Sequence, residues 1–85
     1  MILGIVFLGV NMESRAVIIV GPGFEDSEFT YPFYRLQEED IRVDVVTAGD
    51  GPVTGKLGQT AVPTLKSSEL REPEFDMVIL PGGHE

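Results

Sequence analysis

Apolar residues gather in separated runs along this 85-residue chain, and the spacing within each run differs. Ala16 to Val20 reads Ala-Val-Ile-Ile-Val without a polar break and is closed by Gly21-Pro22-Gly23. A β-branched run that is apolar on both faces suits a buried parallel strand. From Asp26 or Ser27 the period becomes helical, with Phe29, Phe33 and Leu36 at i, i+4 and i+7 on one face, ending in Glu38-Glu39-Asp40. Either Asp26 or Ser27 can cap the free amides, and Glu28 complements the positive end of the helix dipole. Pro32 falls inside this segment, where it removes a backbone donor, bends the helix and deprives the carbonyl near Glu28 of its usual partner.

Ile41 to Thr47 alternates at its start, predicting a strand with one solvated side before the loop Ala48-Gly49-Asp50-Gly51-Pro52. Strand, helix and strand within about thirty residues make a right-handed βαβ unit. Between Val53 and Val62, Gly55 and Gly58 separate short β-prone pieces and predict a small hairpin. Ser67 or Ser68 can cap a short helix through Arg71, stopped by Pro73. Met77 to Leu80 is a third apolar strand, ended by Pro81-Gly82-Gly83. The predicted architecture is an open α/β sheet of three parallel strands and a small hairpin, half of a larger fold.

Met1 to Val10 is apolar but only about half the ~20 residues that a spanning helix needs. It lacks the basic start and small-residue cleavage site of a signal peptide. Residues 1–14 therefore read as a leader of doubtful status, better explained by a start at Met12 than by an extra strand. Translated and uncovered, such a run is an aggregation hazard.

Composition narrows the partners. Fourteen acidic against six basic residues leave a net charge of −8. With no basic patch to neutralise phosphates, nucleic acid and anionic membranes are poor partners. There is no cysteine, so the chain holds neither a thiol nucleophile nor a thiolate metal site, and its single histidine, His84, cannot build a multi-histidine one. No cofactor is expected.

In open α/β sheets, ligands bind beyond the carboxyl ends of the strands. There the sequence places Gly21 to Glu28, the loop after Thr47, and Pro81 to His84. Gly21-Pro22-Gly23 opens like a dinucleotide fingerprint, but its third glycine would fall on Asp26, a carboxylate where pyrophosphate should approach. Glu25, Asp26 and Glu28 crowd one helix start. They form either a solvated, dipole-complementing turn or a site in which Glu28, on the turn that Pro32 distorts, shares a proton with a nucleophile. Gly82 and Gly83 offer closely approachable amides, either a plain turn or an oxyanion hole. His84 reads as a loop histidine.

Taken in order, Gly23-Phe24-Glu25-Asp26-Ser27-Glu28-Phe29, Tyr31-Pro32-Phe33-Tyr34-Arg35-Leu36, Val43-Asp44-Val45, Thr54-Gly55-Lys56, Phe75-Asp76 and Leu80-Pro81-Gly82-Gly83 closely resemble the DJ-1/PfpI family, in its PfpI-like intracellular protease branch. The similarity runs from about Arg15 to Gly83, so residues 15–85 resemble the N-terminal part of a single domain. It implies a flavodoxin-like sandwich of the class I glutamine amidotransferase type, a cytoplasmic location and an oligomer. It also implies a cysteine-dependent peptidase, glyoxalase, deglycase or chaperone. By this resemblance Glu28 is the glutamate that tunes the nucleophilic cysteine. Gly82 and Gly83 are then the oxyanion donors, and Glu25 is an acidic position of the PfpI branch. The family's cysteine lies on a strand-to-helix elbow beyond Pro-Gly-Gly, which this chain does not reach; His84 is not the histidine that follows it, and Glu85 has no secure counterpart.

Three functions follow as expectations. The first is the N-terminal part of a cysteine hydrolase or glyoxalase, inactive alone. The second is a non-enzymatic assembly module, completed by a copy of itself or by a complementary C-terminal chain. The third is a small nucleotide-binding module.

Overall fold

The computed structural model describes the backbone of residues 4–7 and the whole of residues 14–70 and 74–82. In chain order the regular elements are β1 (Gly4–Phe7), β2 (Arg15–Val20), α1 (Asp26–Glu38), β3 (Arg42–Thr47), β4 (Val53–Thr54), β5 (Thr60–Ala61) and β6 (Met77–Leu80). The sheet order is β1-β6-β2-β3. Strand β2 is central and parallel to both neighbours, with Ile18 opposite Val45 on one side and Ile79 on the other.

That position explains the unbroken apolar run: Ala16, Val17 and Ile18 are fully buried because both faces of β2 are covered. On one face Ile18, Val20, Val45 and Ile79 pack with Phe24 and Phe29, and with the hairpin residues Val53 and Ala61. Phe33 and Leu36 complete the apolar stripe of α1 against this cluster. The opposite face carries Val17, Val46 and Phe75, with Ile19, Leu65, Leu70 and Val78 partly buried around them.

Several sequence expectations change in detail. Neither Asp26 nor Ser27 caps α1; Glu25 is the flanking residue, with extended backbone and no side-chain cap bond. The helix runs through Pro32, which is buried. Asp44, expected on a solvated side of β3, is only 5% exposed. Its carboxylate accepts from Thr64 Oγ1 at 2.9 Å and pairs with Arg15 at 3.4 Å and Arg42 at 3.5 Å. A buried carboxylate with three such partners is tolerated where a lone one would not be. The hairpin is present as β4 and β5. The short helix after Lys66 is a single 3-10 turn, Ser67–Glu69, while residues 71–73 lie outside the described residues.

Strand β1 is the largest addition. Gly4–Phe7 takes the strand conformation set second in the sequence reading and pairs antiparallel with the outer edge of β6. Among the described residues, no helix is long and apolar enough to cross a membrane.

Candidate functional site

Because β2, β3 and β6 are parallel, their carboxyl ends finish side by side. Val20 lies opposite Thr47, and Ile79 lies opposite Ile18, two residues before the end of β2. The chain leaving β2 turns at Gly23, whose φ of 75° is a left-handed conformation that suits glycine. Phe24 then drops into the core at 1% exposure, its ring edge-on to Phe29 at 5.3 Å. This anchor holds Glu25 at the start of α1.

There the helix start grips the residue after Pro81. The Glu25 amide donates to the Gly82 carbonyl at 2.6 Å. In return, the Gly82 amide donates to Glu28 Oε1 at 2.6 Å. One residue, Gly82, is thus held through both of its backbone polar groups by residues more than fifty positions away. The side-chain bond is short and charge-assisted, the stronger class of hydrogen bond. Glu28 is half-buried, positioned by the first turn of α1, where its own amide donates to the Glu25 carbonyl at 3.0 Å.

The β4–β5 hairpin closes over the same helix start. Gly23 N donates to the Thr54 carbonyl at 2.8 Å, and Lys56 N donates to the Phe24 carbonyl at 3.0 Å. Asp26 sits in the hairpin turn, accepting from the amides of Leu57 and Gln59, both at 2.8 Å. Burial favours its neutral form, but the amides of Leu57, Gln59 and Asp26 itself together outweigh that and hold the carboxyl below its usual range. The fit demands glycine at 55, since a Cβ there would lie 2.7 Å from Asp26 Oδ1. Glu25 Oε1 meets Lys56 Nζ at 3.1 Å.

The acidic turn is therefore not simply solvated. Glu25 pairs with Lys56, Asp26 organises the hairpin, and Glu28 reaches across to the strand end. Of the sequence candidates, Glu25, Glu28 and Gly82 come together; Gly83, His84 and Glu85 lie outside the described residues. The Gly82 amide is already engaged by Glu28. Sequence reasoning missed Lys56 and Gly55 as partners of the acidic turn, although Thr54-Gly55-Lys56 was visible as a motif. A separate groove on the outer face of α1, between Tyr31, Tyr34 and Arg35, holds none of these residues.

The DJ-1/PfpI family model matches residues 14–85, and the chain belongs to that family. A deglycase of Thermococcus kodakarensis is 41% identical over 69 residues, covering 81% of this chain and 42% of the relative. The deglycase PfpI of Pyrococcus furiosus is 42% identical over 60 residues, 71% of this chain and 36% of the relative. A protein/nucleic acid deglycase of Escherichia coli is 36% identical over 75 residues, 86% of this chain and 44% of the relative. The chain thus spans less than half the length of these relatives. Among solved structures, a DJ-1 superfamily protein of Agrobacterium tumefaciens superposes with a TM-score of 0.74 at 22% identity, over 82% of this chain and 38% of that one. That likeness bears on the flavodoxin-like fold.

Proposed function

We propose that this DJ-1/PfpI chain supplies the glutamate and glycine side of a cysteine-dependent hydrolase site. The substrate class is a carbonyl adduct of the kind that deglycases remove, or methylglyoxal itself, or a peptide bond. The observation that carries the reading is the 2.6 Å bond between Glu28 Oε1 and the Gly82 amide, which ties the helix start to the strand end where a nucleophile of this family would enter.

That bond engages one carboxylate oxygen, so the other is the one to which a thiol can donate. A carboxylate in that place orients the thiol and takes up its proton, and the thiolate is the nucleophile. As the thiolate adds to a carbonyl carbon, the C=O electron pair moves onto oxygen. Backbone amides of the glycine pair that follows β6, Gly82 and Gly83, stabilise that charge. With Gly82 donating to Glu28, this role falls to Gly83, and Gly82 joins only when the carboxylate releases it. Lys56 and Glu25 form the rim of the site on the hairpin side.

The 85 residues contain no cysteine, so alone they are inactive by this route. The test joins this chain to the segment that follows the matched region in the Thermococcus kodakarensis deglycase and measures release of amine from a methylglyoxal adduct. Activity should be abolished by iodoacetamide and absent from the 85-residue chain. Glu28→Gln should lower it by about 100-fold or more, in the range of general acid–base contributions, and should raise the pH at which the thiol is alkylated. Thiol-independent turnover by the 85 residues, or an unaffected Glu28→Gln protein, would overturn the reading.

A further inference from the structure

Among the described residues, the four-stranded sheet is parallel in every pairing except one, and the exception lies on a particular edge. Strand β2 uses both edges, for β3 and β6, so the parallel sheet can grow only outward from β3 or β6. With β2, β3 and β6 as the first, second and third parallel strands, the order is 2-1-3, and in flavodoxin-like sheets the fourth strand adds to the free edge of the third. That edge of β6 is the one occupied by β1, with Gly4 opposite Leu80, Ile5 opposite Ile79, Val6 opposite Val78 and Phe7 opposite Met77.

A second observation points to the same place. The connection from β2 to β3 through α1 and any connection outward from β6 run in opposite directions across the sheet. Right-handed crossovers therefore put the next helix on the face that α1 does not cover. On that face Ile19 and Val78 are only partly buried, and Leu80 is 44% exposed, beside the edge that β1 holds.

We infer that β1 is an exchangeable plug: it covers the acceptor edge of β6 and must leave for a parallel strand, preceded by an apolar helix, to dock there. The occupant is the segment that follows the matched region in the longer relatives, whose strand replaces β1 and whose helix covers Ile19, Val78 and Leu80. A four-residue antiparallel strand supplies backbone pairing at the edge, whereas a parallel strand with its preceding helix supplies that pairing together with a cover for the second face. Until exchange, β1 protects an edge that would otherwise invite pairing between chains. The inference rests on the family fold, and its test reads binding, so a failure of the catalytic proposal leaves it standing.

The test uses the full 85-residue chain and, as probe, the recombinant segment that follows the matched region in the Thermococcus kodakarensis deglycase. Ile5→Pro with Val6→Pro breaks β1 whichever of the two amides faces β6, because successive amides point to opposite sides. Val6→Cys with Val78→Cys locks β1 in place when oxidised, since directly opposed residues lie within disulfide reach. The native chain has no cysteine to compete. If the edge is open about one-tenth of the time or less, the proline variant binds the probe about tenfold tighter or more than the unaltered chain. The oxidised lock should not bind, and reduction should restore binding. Amide protection retained in β2 and β3 certifies that the proline variant is folded; if it is not, the oxidised and reduced lock decide alone. Equal affinity in the locked and unlocked states, or no binding to a folded proline variant, would overturn the inference.

Discussion

Removing the Glu28 carboxylate should loosen the strand end that it holds, by an amount its geometry allows to be worked out. In Glu28→Ala the part-buried Gly82 amide loses its acceptor at 2.6 Å. A hydrogen bond to a charged group contributes about 1.5–3 kcal/mol, and the first-turn carboxylate adds roughly 0.3–1 kcal/mol through the helix dipole. Half-exposure of Glu28 lets water replace some of this, so a loss of about 2 kcal/mol is expected, within that 1.5–3 kcal/mol range. Glu28→Gln keeps an oxygen acceptor and should lose about 1 kcal/mol or less, the charge-assisted increment and the dipole contribution. Urea unfolding gives the global change, and amide exchange gives the local one. At about 1.4 kcal/mol per tenfold, the Gly82 amide should exchange roughly 30-fold faster in the Ala variant and up to about 5-fold faster in the Gln variant. Unchanged exchange at Gly82 in Glu28→Ala, with the helix intact, would refute the assignment of that bond as what holds the site together.

Other outcomes follow from the same geometry. Gly55→Ala should displace the Asp26 carboxylate and raise exchange at the Leu57 and Gln59 amides while leaving β2 protected, because a Cβ at 55 falls 2.7 Å from Oδ1; unchanged exchange would mean the turn yields instead. Since the folded pKa of Asp26 lies below the ordinary 3.8, its contribution is complete above that value and is lost as the pH falls through the folded pKa. Protection factors at Leu57 and Gln59 should therefore decline below about pH 3.8, and Asp26→Asn should flatten the profile. Ile18→Ala, fully buried at the sheet centre, should cost about 2–5 kcal/mol, a large share of the roughly 4–13 kcal/mol usual for a domain this size; thermal unfolding measures it, and a loss below 1 kcal/mol, under the range for Ile→Ala, would show that the core re-collapses.

Asp44 shows where local pattern stops being informative. Alternation along Ile41 to Thr47 implies a solvated side, and it holds at Arg42, whose side chain is 66% exposed. Two residues later the same face is covered, because Thr64 and Arg15 reach it from 20 and 29 positions away. No window of a few residues contains that information. The acidic turn behaves alike. Its crowding at a helix start was legible, but the division of labour among Glu25, Asp26 and Glu28 depends on a hairpin some thirty residues on and a strand end 54 residues on.

What the sequence determined by itself was the set of parallel strands, the apolar stripe of α1, the hairpin and the family, because each rests on periodicity, turn residues or a motif within a short stretch. The absence of a cysteine was equally settled by composition. The tertiary structure decided which distant partner each carboxylate meets and which edge of the sheet β1 closes. Those are long-range hydrogen bonds, whose partners become neighbours only after the chain has folded.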